Sequence, residues 1–177
     1  MEIYIKVLPL EINRYIYSFF IYTPKSYNEL KKAIKYWSNN RTYAMNIYGH
    51  ISKWNTYYIT DMSSLFYNLS EFNENINNWD VSNVKDMSYM FFNCIKFNKL
   101  LNKWDVSNVI NMKNMFENCM EFNQSLNNWK INSVINFDYM FCNCKNYNKL
   151  IDKWDITFLS IKKFQMFLNC PKVEYYT

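Results

Sequence analysis

The residues best able to bind a metal or attack a substrate are one histidine, His50, and five cysteines: Cys94, Cys119, Cys142, Cys144 and Cys170. A nucleophilic triad needs a histidine oriented by an acid and facing a nucleophile. His50 follows Gly49 with no such partners marked around it, and it reads as a turn residue. Structural zinc sites take cysteine or histidine pairs spaced by two to four residues together with a second pair. Cys142 and Cys144 form a single Cys-x-Cys, which falls short of that pattern. Cys94, Cys119 and Cys144 instead recur at a fixed interval, which predicts a buried column of reduced thiols with Cys142 off it. Asp80, Asp105 and Asp155 recur in the same way, but Lys130 interrupts them, so they read as corner or capping residues rather than paired catalytic acids. One glycine cannot build a glycine-rich phosphate loop. The expectation is a chain that is not an enzyme, with no catalytic residue, no cofactor and no metal.

The interval that spaces the cysteines organises most of the chain. Trp54, Trp79, Trp104, Trp129 and Trp154 stand 25 residues apart. Ile59, Val84, Val109, Val134 and Leu159 keep the same register, as do Phe66, Phe91, Phe116 and Phe141, continued by Met166. Met62, Met87 and Met112 give way to Phe137, while Leu65 leads Met90, Met115 and Met140. Phe72, Phe97, Phe122 and Tyr147 are each followed by an asparagine. A fixed period of this length marks a repeat architecture, in which no unit buries its apolar face alone and stacking completes a common core.

Within a unit, Val84, Met87, Met90, Phe91 and Cys94 fit one face of a short helix. Ser82 or Asn83 would cap its start and Asn93 would end it. The stretch from Phe97 through Leu101, Trp104 and Val106 lacks helical period and fits a strand and corner. The predicted fold is therefore an α/β repeat: a leucine-rich-repeat-like solenoid of short parallel strands and short helices with an N-terminal helical cap. Its expected limits are a cap region at 1–48, about five repeats at 49–170 and a tail at 171–177. In the fifth unit Lys162, Gln165 and Asn169 take the places of Met, Met and Cys, so it reads as a degenerate cap.

The recurring WDVSNV…DMS.MF..C..FN…L pattern, best kept from Trp79 to Leu126, resembles the BspA-like leucine-rich repeats, including the related repeat of mycoplasma-type surface lipoproteins. The resemblance covers about residues 44 to 170 and implies interaction rather than catalysis. The segment LKKAIKYWSNNRTYAMNIYGHISKW resembles the helical lead-in that precedes such repeats in algal, protist and giant-virus proteins. Ser26 and Glu29 have capping-box spacing there, and Leu30, Ile34, Trp37, Ala44 and Tyr48 lean to one side of a helix broken near Asn39 and Asn40 and ending at Gly49. Upstream, LPLEINRYIYSFF looks like the first helix of an F-box, which would make the chain a substrate receptor of a ubiquitin ligase; a surface adhesin is a further alternative.

Half of the 177 residues are hydrophobic and a fifth are aromatic, which excludes a disordered chain. The formal charge of +5 is spread along the sequence without a Lys/Arg block, which argues against nucleic acid as the partner. Glu2, Lys6, Glu11 and Arg14 interrupt the amino-terminal apolar run, and no run reaches membrane-spanning length, so the expectation is an intracellular, cytoplasmic protein with no membrane span. Periodic apolar columns are core, and binding should fall where columns vary. Those positions are Glu74 and Asn78; Lys99, Leu100 and Lys103; Gln124 and Asn128; then Lys149, Leu150 and Lys153. They form the candidate face for another protein, and their lysines favour a partner with acidic patches.

Overall fold

The computed structural model of the chain describes residues 21–157 and 162–171. The F-box-like segment at residues 8–20 lies outside them. Two helices come first. Helix α1, Tyr27–Asn39, starts at Ser26, whose side chain accepts the Glu29 N–H, and buries Leu30, Ala33, Ile34 and Trp37. Asn40 ends α1 and caps α2, Arg41–Tyr48, its side chain accepting the Tyr43 N–H. Gly49 closes α2 at φ 68°, a left-handed value that glycine adopts without strain. A single 3₁₀ turn, Ile51–Lys53, leads into the repeats.

The repeats themselves contain neither helices nor strands among the described residues, so the chain is not an α/β solenoid. Parallel pairing is confined to isolated bridges: Asp61 with Asp86, Asp86 with Asn111, Asn111 with Asn136, and Asn136 with Lys162. The expected helix fails because two residues of each such segment sit at positive φ. In the second unit these are Tyr89 (57°) and Asn93 (58°); Ser64, Asn68, Asn114, Asn118, Tyr139, Asn143, Gln165 and Asn169 repeat them. A left-handed residue every few positions cannot continue a right-handed helix.

Tight turns replace both predicted elements. Backbone N–H groups bond three residues back from Trp79 to Ile76, Val84 to Val81, Met90 to Met87, Cys94 to Phe91 and Phe97 to Cys94. Each turn returns the chain to the interior after three residues, so consecutive core side chains stand three apart, as they would on a helix. Intervening N–H groups cross to the next unit. Met62, Ser64, Phe66 and Asn68 donate to the carbonyls of Asp86, Ser88, Met90 and Phe92, and every later junction repeats these four bonds. The backbone demand of the segment is thus met by alternating turn and cross-unit bonds, without a continuous ladder.

The core is a set of stacked columns. Phe66, Phe91, Phe116 and Phe141 lie face to face at 5.3, 5.4 and 5.6 Å, and Trp104 lies 6.2 Å from Trp129 with rings 8° apart. These rings and the Met and Val columns are fully or nearly fully buried. At the amino-terminal end α1 covers the first unit: Tyr27 Oη donates to the Ser63 carbonyl at 3.0 Å, and Lys31 Nζ donates to the carbonyls of Ser64 and Leu65. The Ser63 and Leu65 carbonyls have no preceding unit to bond, so side chains from the helix serve them. Among the described residues no helix is long and apolar enough to cross a membrane.

The fifth unit slips by one residue. Its bridge joins Asn136 to Lys162, Phe141 stacks on Phe167 at 5.2 Å, and Asn169 bonds Asn143 across an interval of 26 residues. Strict 25-residue spacing would have set Leu168, not an asparagine, opposite Asn143. Lys163, Met166, Phe167 and Cys170 therefore take the Met, Met, Phe and Cys places, and the unit that looked degenerate keeps most of the pattern once it is shifted.

Candidate functional site

The groups with chemical potential are largely consumed inside the stack. Each column cysteine donates its Sγ–H to a carbonyl of the preceding unit: Cys94 to Phe66, Cys119 to Phe91, Cys144 to Phe116 and Cys170 to Phe141, at 2.7–3.1 Å. The thiol column thus includes Cys170, which strict spacing hides. All five cysteines are free thiols. Burial pushes the Cys94 thiol up to about 12 and holds Cys119 and Cys144 well above the ordinary thiol range. A side-chain hydrogen bond with Cys144 draws half-buried Cys170 the other way. Thiolate is the reactive form, so iodoacetamide should modify Cys170 of the native protein on the order of tenfold faster than Cys94, Cys119 or Cys144. Peptide mass spectrometry after timed alkylation reads this directly, and equal rates at all four would show that the column is open to solvent.

His50 caps the 3₁₀ turn: its Nδ1 accepts the Ser52 N–H at 3.2 Å and lies 2.7 Å from Ser52 Oγ. Asp80 and Asp105 accept the N–H groups of Ser82 and Ser107, and Asp155 that of Thr157, so these carboxylates tie off turns. No group of three or more His, Cys, Asp or Glu among the described residues is placed to hold a metal ion.

The candidate face lies along one edge of the stack. Asn78, Leu100, Lys103, Asn128, Leu150 and Lys153 are exposed, while Glu74, Lys99, Gln124 and Lys149 are half-buried. The stacking sets Lys99 and Lys149 in the column of Glu74 and Gln124, and Lys103 and Lys153 in that of Asn78 and Asn128. Several members are engaged rather than free. Glu74 pairs with Arg41 at 2.7 Å, so it does not stand as a negative end to the face. Gln124 Nε2 donates to Asn98 Oδ1 at 2.7 Å. Lys103 Nζ donates to Asn78 Oδ1 at 2.9 Å, joining neighbours within a column. A cleft of about 540 Å³ opens beside Asn128 and Lys153, with Lys130, Ile131 and Asp155 on its walls. Sequence reasoning passed over Lys53, which is exposed and stands one unit before Asn78; its offset of 25 from that residue was the available signal.

This arrangement of turns, columns and edge spans the region that matches a family model described as "Mycoplasma protein of unknown function, DUF285", over residues 32–154. The chain belongs to the DUF285 family. The match takes in most of α1, α2 and the repeats as far as Trp154. No curated protein and no solved structure matches the chain. Within this DUF285 chain the interior is nearly uniform from unit to unit, whereas the residues of the exposed edge change.

Proposed function

We propose that the chain is a non-enzymatic protein-interaction module with its docking surface on the edge bearing Lys99, Leu100, Lys103, Lys149, Leu150 and Lys153, and that its repeat is of the BspA-like kind. The observation carrying this reading is the division of labour between columns. Inward columns repeat nearly the same residue and spend their polar atoms on neighbouring units. The edge columns change residue from unit to unit, and Leu100 and Leu150 are each 52% exposed. An exposed apolar side chain between cations suits a partner that offers both an apolar contact and acidic groups.

Reversing Lys99, Lys103, Lys149 and Lys153 to Glu should abolish capture of the native partner from host lysate while leaving the fold intact. Surface substitutions of this kind, two at exposed and two at half-buried positions, change stability by only about ±0.5 kcal/mol each. Circular dichroism monitors folding and quantitative pull-down monitors the partner. A folded quadruple variant that captures the same proteins in the same amounts would remove this edge from consideration.

A further inference from the structure

The asparagine ladder of the repeats runs in one direction and stops at an open end. Asn93, Asn118, Asn143 and Asn169 each donate Nδ2 to the Oδ1 of the unit before, at 2.6–2.8 Å. The side-chain N–H groups of the column therefore point toward the amino-terminal end of the stack. Asn68 is the first rung: its Oδ1 accepts from Asn93, and its Nδ2 has no acceptor among the described residues. On that side lies α1 rather than another unit. Asn68 instead lines a cleft of about 410 Å³ between the helices and the first repeat. Buried Ile34, Trp37 and Phe72, with half-buried Leu69, give it an apolar floor. A concave, apolar-floored cleft of this size with a few convergent polar groups has the build of a small-molecule site.

The charges in the cleft select against an ion. Arg41 is spent: its guanidinium pairs with Glu74 at 2.7 Å and lies 5.0 Å from the centre of the Trp37 ring. Glu71 is exposed and takes only the Ser70 hydroxyl, at 3.4 Å. A bound carboxylate would face Glu71 with no free cation to offset it, and an ammonium group would offer nothing to the Asn68 donor. A neutral group that accepts from Asn68 Nδ2 and donates to Glu71 answers both, and a secondary amide carries one acceptor and one donor. An acetamido group adds a methyl for the apolar floor. Ser38, Asn39 and Ser70 also line the cleft and supply polar partners that ring hydroxyls can use and a bare alkyl stem cannot. We infer that this cleft binds an N-acetylated sugar, its acetamido oxygen continuing the asparagine ladder at Asn68, its N–H facing Glu71 and its methyl against Trp37 and Phe72. The site lies between the cap helices and the first repeat and does not depend on the lysine edge.

Isothermal titration of the full chain with three trisaccharides that differ only at C2 provides the test: the N-acetylglucosamine trimer, the glucosamine trimer and the glucose trimer of the same linkage. The acetylated trimer should bind at least about tenfold more tightly than the other two, the effect of a hydrogen bond gained or lost in the site. Asn68→Asp keeps an oxygen for Asn93 and a residue type that tolerates the left-handed region, but it puts an acceptor where the donor was. It should erase the preference without changing the circular dichroism spectrum. Glu71→Ala, at an exposed position, should weaken the acetylated trimer about fivefold, and it carries the test if Asn68→Asp does not fold. No measurable binding of the acetylated trimer, equal affinities for the three sugars, or tighter binding of the amine trimer would overturn the inference. So would a preference that survives either replacement in a folded protein, or tighter binding of an acetyl-lysine peptide, which would make the cleft a reader of modified protein.

Discussion

Trp104→Ala should destabilise the protein by about 3–5 kcal/mol, the usual cost of truncating a buried large aromatic side chain. Trp104 is 4% exposed, packs 6.2 Å from Trp129 and 6.3 Å from Phe91, and donates its Nε1–H to the Ile76 carbonyl at 3.2 Å. Truncation would open a cavity between two units and remove that donor. For a chain of this size the loss should lower the melting midpoint by roughly 10 °C. Trp104→Phe keeps most of the ring contact and sacrifices the N–H, so it should cost only about 1–2 kcal/mol. Thermal melting of both variants separates packing from hydrogen bonding. Midpoints matching the parent protein would place the tryptophan column on the outside of the stack.

Asn118→Val should cost about 2–4 kcal/mol, from two sources at one residue. Asn118 lies at φ 62°, where a residue with a β-carbon is disfavoured by about 1–2 kcal/mol and a β-branched one suffers most. It also stands inside a ladder in which each asparagine Nδ2 donates to the Oδ1 of the unit before: Asn93 to Asn68, Asn118 to Asn93, Asn143 to Asn118 and Asn169 to Asn143, at 2.6–2.8 Å. Each such bond contributes about 0.5–1.5 kcal/mol net. Asn118→Gly relieves the backbone constraint and loses the ladder alone, so it should cost less than Asn118→Val. Denaturant unfolding of the pair tests this. Equal losses in the two variants would mean that the left-handed backbone contributes nothing to the choice of asparagine.

The asparagine column shows how a pattern can be read correctly and its geometry missed. Asn68, Asn93, Asn118 and Asn143 were legible as residues that stop a helix, because asparagine tolerates the left-handed region. They do adopt that region, yet no helix precedes them. The apolar spacing of three, three, one and three fits successive three-residue turns as well as a helix face, since both return a side chain inward after three residues. The arbiter is the destination of the backbone N–H groups. Alternate ones leave for the next unit, and no local pattern encodes a partner 24 residues away.

At the edge, the lysines and leucines were legible as variable positions, but their engagement was not. The pairing of Glu74 with Arg41 depends on where α2 sits against the first repeat. The place of Cys170 beneath Cys144 depends on one extra residue taken up between Trp154 and Lys162. A fixed period cannot reveal a slip in itself.

The sequence by itself determined the unit length, the inward columns, the break between α1 and α2 at Asn40 and the composition of the edge, because each follows from residue type at a fixed spacing. Only the tertiary structure decided that the repeats are built from turns rather than strands and helices, that polar side chains bond across units, and that the last unit is shifted. The physical reason is that a turn and a helix bury the same side chains, and what separates them is which neighbour receives each N–H, a choice settled only when the units stack.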